Sequence, residues 1–228
     1  EQRKIRRGVR ARLLRAAMDK YLDPKIPLHA NKRAAFALAF QGLLRGAEFT
    51  TDKFNPSKDM TRADLVSLTD SRAIVMMRPS KNMAHLHGKT VPLVIGAGGK
   101  FIDAVAELNN LVLVDKVRAS DAPNVPLFRD GTRALSATTM RRDLQYMMST
   151  VGQEPGQFGL HSLRIGGATA LFAAGADPIV IRTMGRWSSD CYRLYVRACF
   201  EATQAWTVKA GTQDVTDVAG EFDEVDSY

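Results

Sequence analysis

His161-Ser162-Leu163-Arg164 sets an imidazole and a guanidinium three positions apart. The surrounding run reads as helical, and on a helix residues three apart are neighbours, with Cβ atoms about 5–6 Å from one another. Such a pair suits a phosphodiester. The guanidinium can take two non-bridging oxygens in a bidentate fork, and the imidazole can accept or donate a proton. A surface pair on any helix has the same spacing, so the motif alone assigns nothing. Other clusters are weaker still. His85 and His87 could bind a metal from a strand, but no third ligand is visible, and solvent-facing hairpin residues are the simpler reading. Gly96-Ala97-Gly98-Gly99-Lys100 imitates a phosphate loop without its spacing or its Ser/Thr after the Lys, and reads as a strand-to-helix turn. Met76, Met77, Met147 and Met148 read as core.

These groups need elements to hold them. Residues 1–20 read as a basic helix, with Ile5, Val9, Leu13, Leu14 and Ala17 at helical spacing and mostly Arg elsewhere. Asp23-Pro24-Lys25-Ile26-Pro27 breaks it. A second helix is predicted from Asn31 as N-cap through an almost uniformly apolar stretch to Arg45, hence buried; Gly42, Arg45, Gly46 and Glu48 at its end are odd choices for a core helix. Three short β-rich runs follow between residues 59 and 95, the last two joined by a polar tip, Pro79-Ser80-Lys81-Asn82. Helices are predicted over 101–117, over 137–150 behind a Ser136 cap, from His161 to Ala174 with Gly175 as the stop, from Pro178 to about Met184, and over 188–208. The fold class is mainly α with a small antiparallel β-sheet.

Composition narrows the partners. The chain has 228 residues, 45% of them hydrophobic, and a formal net charge of +8. That length suits one sizeable domain, or one domain with extended arms. The charge is clustered: Arg3, Lys4, Arg6, Arg7, Arg10, Arg12 and Arg15 crowd one end, while Asp214, Asp217, Glu221, Asp223, Glu224 and Asp226 crowd the other. A basic body of this kind points to a polyanion. No apolar run approaches the ~20 residues of a membrane span, and the basic start, with no apolar stretch behind it, does not read as a signal peptide. Cys191 and Cys199 would stand roughly 12 Å apart along a helix at ~1.5 Å per residue, too far for a disulfide. They read as packing residues of a reducing compartment: the nucleus if the source is eukaryotic, otherwise cytoplasm or nucleoid, and not a secreted protein. A chain that opens on Glu1 reads as a fragment or a processed product.

Behind the His-x-x-Arg helix stands Gly185-Arg186-Trp187-Ser188-Ser189-Asp190-Cys191-Tyr192-Arg193-Leu194-Tyr195-Val196-Arg197. The stretch from His161 through this segment resembles the C-terminal half of the tyrosine recombinase (phage integrase) family, whose pattern is His-x-x-Arg, a Gly-His or Gly-Trp about twenty residues on, and a nucleophilic Tyr eight or nine residues later. Here those are His161, Arg164, Trp187 and Tyr195. Tyr192 lies too near Trp187 for that spacing and reads as a buried aromatic. The family's upstream Gly-Leu-Arg-x-x-Glu is matched by Gly42-Leu43-Leu44-Arg45-Gly46-Ala47-Glu48, with one Leu inserted. Its hairpin lysine is matched by Lys81, with Lys89 as competitor. The resemblance covers about residues 30–205 in the correct order, and the Ser-Ser-Asp with its double-Tyr ending looks most like the recombinases of eukaryotic mobile elements.

The resemblance implies a DNA strand-exchange enzyme. Tyr195 would attack a phosphodiester and form a 3′-phosphotyrosine. Arg45 and Arg164 would grip the non-bridging oxygens, and Lys81 would protonate the departing 5′ oxygen. His161 would accept the Tyr proton or orient the phosphate. Trp187 would hold the phosphate through its indole N–H, and Glu48 would orient Arg45 or His161. No metal or nucleotide cofactor is implied. The implied partners are double-stranded DNA, contacted also by Arg6, Arg7, Arg10, Arg12 and Arg197, and further copies of the chain, two to four on DNA, away from any membrane. The domains expected are a basic helix or linker over 1–29, the catalytic domain over 30–208 and an acidic tail over 209–228. The residues ahead of the match are too few for the family's N-terminal DNA-clamping domain. Two alternatives remain: a catalytically silent DNA-binding protein on the same fold, and a related resealing enzyme such as a topoisomerase or telomere resolvase.

Overall fold

Buried polar side chains organise the centre of this fold as much as apolar ones do. The structure, a computed structural model, describes residues 7–79, 89–189, Arg193 and Val208. The elements below lie in the compact unit Glu1–Arg197; of the unit Ala198–Tyr228 only Val208, helical and exposed, is described. Lys81, Tyr192, Tyr195, Arg197, Arg6, His85, His87, Cys191 and Cys199 fall outside the described residues.

Seven α-helices and a three-stranded antiparallel sheet dominate the described residues, as the sequence leads one to expect. Helix α2 (Pro27–Gln41) is the axis of the domain and is buried from Ala30 to Phe40. Helix α4 (Ala104–Val114) and helix α6 (Leu160–Ala173) pack on it. Helix α1 (Ala11–Tyr21) lies on helix α5 (Ala137–Thr150), burying Leu14, Ala17 and Met18. Strands β1 (Leu65–Leu68), β2 (Arg72–Met77) and β3 (Val91–Gly96) follow one another as neighbours, with Met77 opposite Val91 at the closed end of the β2–β3 pair. Ala73, Val75 and Met77 of β2 and Leu93 and Ile95 of β3 point into the core, while Val94 faces outward, the alternation of a sheet with one solvated face. Arg78 leaves β2 and pairs with the buried carboxylate of Asp64, at 3.0 Å through both Nε and Nη2, which anchors the base of the connection that carries Lys81 and Lys89. Lys89 itself is exposed.

Helix α2 corrects one expectation. It begins at Pro27, not after Asn31, because a proline in the first helical turn forfeits only an N–H that has no partner there. Asn31, Lys32 and Arg33 therefore sit inside the helix, and all three are buried. Each is satisfied by a different segment. Asn31 donates to Asp115, which also accepts from Arg62 and Arg129. Lys32 pairs with Asp143 of α5 at 2.7 Å. Arg33 grips Glu107 of α4 through Nε and Nη2 and reaches Asp19 of α1. A buried charge without its partner is costly, so this helix is locked into one orientation relative to its neighbours.

The N-terminal segment supplies a second correction. Residues 7–10 are extended, and the helix starts only at Ala11. The backbone N–H of Arg7 donates to Gln157 and that of Val9 to Ser162, so these residues lie along the first turn of α6 instead of winding into a helix. A third concerns Arg45: α2 stops at Gln41, and Arg45 lies in the following loop. The predicted ends of α5 at Ser136, of α6 before Gly175 and of helix α7 (Pro178–Met184) agree with the structure.

Gly166 and Gly167 on α6 set how closely these parts meet. A Cβ on Gly166 would stand 2.0 Å from the Val9 carbonyl oxygen, and one on Gly167 would stand 2.1 Å from that of Phe40. Gly167→Ala must therefore push α6 off the end of α2. The expected result is a loss of about 1–3 kcal/mol in urea denaturation, the usual penalty of overpacking a close contact. An unchanged midpoint would mean that α6 and α2 stand further apart than described.

Candidate phosphate-binding site

Two loops and one helical turn meet at the site. The first loop leaves α2 at Gly42, passes through Leu43 in the left-handed region (φ 52°) and delivers Arg45 to the start of the short helix α3 (Gly46–Phe49). The second leaves α7 at Gly185 and passes through Arg186, also left-handed (φ 55°), to Trp187. These are the two non-glycine residues with positive φ among the described ones. Such backbone costs about 1–3 kcal/mol and persists only where the surroundings impose it. Gly185 is needed for another reason: the Trp187 ring folds across it, and a Cβ there would meet the indole at 1.7 Å.

Arg164 ties the two loops together. It lies in the first turns of α6 and is 0% exposed. One terminal nitrogen donates to the Leu43 carbonyl and the other to that of Gly185, the latter at 2.6 Å. Its guanidinium carbon stands 3.9 Å from the centre of the Trp187 ring, a cation–π contact in a desolvated setting. Trp187 packs in turn against a small apolar cluster of Leu43, Ala168 and Ile181. Arg182 of α7 donates to the carbonyls of Trp187 and Ser188, at 3.4 and 3.0 Å, and steadies the far side of the turn.

Glu48 joins the loops a second time. One carboxylate oxygen accepts from the Arg45 side chain at 2.9 Å; the other accepts from the Arg45 backbone N–H at 2.7 Å and from Arg186 Nη2 at 2.8 Å. Arg186 also donates to the carbonyls of Gly42, Leu43 and Met184. Burial alone would raise the Glu48 pKa, but the charge of Arg186 together with the donors of Arg45 and Arg186 outweighs it, so the carboxyl titrates below its ordinary value. Burial lowers the Arg186 pKa, against the pull of Glu48. Within the cluster Arg45 is the most open of the arginines, with 22% of its side chain exposed, against 6% for Arg186. Arg45 and Arg186 share the one Glu48 carboxylate, and the Arg164 guanidinium adds a further positive charge against the Leu43 and Gly185 carbonyls. Buried backbone, fixed guanidinium planes and surplus positive charge are the requirements of an anion site.

The structure thus brings Arg45, Glu48, Arg164 and Trp187 to one place. His161 shares the first turn of α6 with Arg164, but it is exposed where Arg164 is buried. Arg7, Arg10 and Arg12 are exposed, and the backbone bonds of Arg7 and Val9 hold their segment against Gln157 and Ser162, beside His161. Beyond Trp187 and Arg186 an open groove of about 420 Å³, lined by Met77, Val91, Leu93 and Met184, separates the turn from the sheet. Among the described residues no three His, Cys, Asp or Glu side chains converge as metal ligands, and none of the helices is long and apolar enough to cross a membrane. Sequence reasoning passed over Arg186. The available signal was a charged residue set between Gly185 and Trp187, inside a turn too tight to leave its side chain in solvent.

No protein-family model matches the sequence. No curated protein matches it significantly. Solved structures do match in shape. XerA recombinase superposes with a TM-score of 0.63 at 16% identity, over 94% of this chain and 66% of that one. XerH site-specific recombinase, bound to its palindromic difH substrate in a post-cleavage complex, gives 0.59 at 14% identity, over 92% and 55%. A lambda integrase dimer bound to a COC′ core site gives 0.54 at 13% identity, over 96% and 53%. The chain has the tyrosine recombinase catalytic fold, and it spans between about half and two thirds of the length of these structures.

The low pKa of Glu48 has a consequence for stability. A carboxyl held below its ordinary value of 4.5 in the folded state contributes stability that is complete above that value and is lost as pH falls through the folded pKa. Glu48→Gln should therefore lower stability at pH 7 by on the order of 2 kcal/mol, the worth of hydrogen bonds to a charged group. It should also shrink the acid-induced loss below pH 4.5. Chemical denaturation of both proteins from pH 7 to pH 3 measures this, and parallel pH profiles would show that Glu48 is not bound as described.

Proposed function

We propose that this chain, built on the tyrosine recombinase catalytic fold, cleaves and rejoins DNA strands through a 3′-phosphotyrosine at Tyr195. The supporting observation is that Arg45 and Arg186 share the Glu48 carboxylate while Arg164, from α6, ties together the two loops that carry them. Phosphoryl transfer needs little covalent help from a protein beyond a nucleophile. It needs positioned positive charge on the equatorial oxygens and an acid for the leaving group. Arg45, partly open and fixed by Glu48, is suited to bind a non-bridging oxygen. Arg164 gives the site its second charge and holds both loops; a phosphate reaches it directly only when the groups that cover it move aside. Trp187 keeps the Arg164 guanidinium in place and offers its indole N–H.

In this reading Tyr195, with an ordinary pKa of about 10, ionises in the transition state because the surrounding cations favour the phenolate. His161, exposed beside the site, accepts its proton or orients the phosphate. Lys81, on the connection anchored by Arg78, protonates the 5′ oxygen as the P–O bond to it breaks. The phosphotyrosine retains the bond energy, so a 5′ hydroxyl from a second strand can reverse the step and complete an exchange. The exposed Arg7, Arg10 and Arg12, with Arg6 and Arg197, bind neighbouring phosphates without reading sequence. Two or more copies on double-stranded DNA are required for exchange, and no metal or nucleotide cofactor takes part.

A second reading rests on Arg164. Both of its terminal nitrogens are committed to backbone carbonyls, as expected of a DNA-binding protein that no longer cleaves. One experiment separates the two. Nicked duplexes with random sequence around the nick trap a covalent intermediate, because the short fragment between the cleaved phosphate and the nick, which carries the new 5′ hydroxyl, diffuses away. The protein should form an adduct that survives denaturing electrophoresis; Tyr195→Phe should abolish it with DNA binding retained, and Tyr192→Phe should not. Loss with Tyr192→Phe alone would move the nucleophile, and binding without any adduct would favour the non-cleaving reading. On a captured substrate, Arg45→Ala should slow cleavage by on the order of 10²–10³, as when a transition-state donor is lost, with a much smaller effect on affinity. Normal cleavage at saturation would make Arg45 a general DNA contact.

A further inference from the structure

We infer that Arg186 is a positioning residue for the phosphate site: it compensates Glu48, so that Glu48 can fix Arg45 without cancelling its charge. The inference rests on the reading of Arg45 as a phosphate ligand. A lone Arg45–Glu48 pair would be well ordered but close to neutral, and a neutral pair attracts no anion. Glu48 is almost fully buried and makes three close contacts, two to Arg45 and one to Arg186. The Arg186 guanidinium shares the oxygen that the Arg45 backbone occupies, which leaves the other oxygen to the Arg45 side chain. The trio Arg45–Glu48–Arg186 carries one net positive charge, and it is exposed at Arg45.

The backbone at Arg186 supports a built arrangement. A left-handed residue with a long side chain is unusual, and here that conformation turns the side chain inward to the carbonyls of Gly42 and Leu43. Its own carbonyl stands 3.4 Å from Arg45 Nη2. Arg186 thus borders Arg45 on two sides, through Glu48 and through its backbone, while remaining too buried to serve as the phosphate contact itself. The same residue spans the turn that places Trp187 over Arg164, so the two cationic parts of the site share one support.

The test is a double-mutant cycle on the full chain with the nicked-duplex substrate. Arg186→Met removes the charge and every donor but keeps an unbranched chain; Arg186→Lys keeps the charge. Arg186→Met should slow cleavage at saturating DNA by about tenfold or more, with affinity changed less than about threefold, and Arg186→Lys should recover part of the rate. In a Glu48→Gln background, Arg186→Met should cost less than about threefold, because no carboxylate remains to be compensated. Wild-type cleavage by both Arg186 variants, or additive effects of the Glu48 and Arg186 changes, would overturn the inference. If Arg186→Met does not fold, Arg186→Gln, which also removes the charge, carries the cycle. A wild-type protein that forms no adduct would instead refute the proposed function. The Glu48 carboxyl, followed by carbon NMR across pH, then decides the positioning role: its pKa should rise in the Arg186 variant, and an unchanged titration would overturn the inference.

Discussion

A guanidinium withdrawn from water must find fixed acceptors, and the acceptors of Arg164 come from loops far apart in the chain, at Leu43 and Gly185. That requirement shapes everything around it. The two carbonyls can reach one side chain only if α2 ends abruptly after Gln41 and α7 after Met184, and both chains turn through left-handed residues to do so. The Trp187 ring then covers the guanidinium face, and Gly185 must lack a side chain to let it. Leaving a buried charge unsatisfied would cost more than the strain of two left-handed residues, so the loops hold a geometry they would not adopt alone.

The same logic runs through the helical core. Asn31, Lys32 and Arg33 face three different acidic partners from the first half of α2, and each partner belongs to a separate segment. Apolar burial drives collapse but tolerates sliding, because a helix of Ala, Phe and Leu packs in several registers. Paired charges do not tolerate it: a shift of one residue would strand a carboxylate or a guanidinium away from water. The central helix is thus held in one register. That register fixes where Gly42 falls, and with it where Arg45 emerges.

The site inherits its charge pattern from this frame. Glu48 and Arg186 are buried and mutually compensated, Arg164 is buried against backbone and indole, and Arg45 is the arginine of the set with a substantial opening to solvent. Positive charge that is fixed and only partly hydrated binds an anion more strongly than mobile surface lysines do, since little reorganisation remains when the ligand arrives. The exposed Arg7 and Arg10 stand on an extended segment bonded to Gln157 and Ser162, which extends the basic surface outward from the first turn of α6.

Local elements whose ends carry their own chemistry are legible along the chain. Ser136 caps α5, Pro178 opens α7, Gly175 ends α6, and short apolar runs with β-branched residues mark β2 and β3, because caps, breakers and strand propensity act within a few residues. The sequence also put His161, Arg164, Trp187, Arg45 and Glu48 in the order of a known motif set. It misplaced the start of α2 at Asn31, since an Asn at a plausible cap and an Asn bonded to a distant Asp115 look the same along the chain. It read residues 1–20 as one helix, because the carbonyls that hold residues 7–10 extended belong to Gln157 and Ser162. Above all, it could not say which arginine would face solvent and which would be buried. Motif order singles out Arg45 and Arg164, is silent on Arg186, and gives the burial of none of them. Their division into a partly open guanidinium, a clamp between loops and a buried partner of Glu48 depends on where two loops meet in space, which no local pattern of residues encodes.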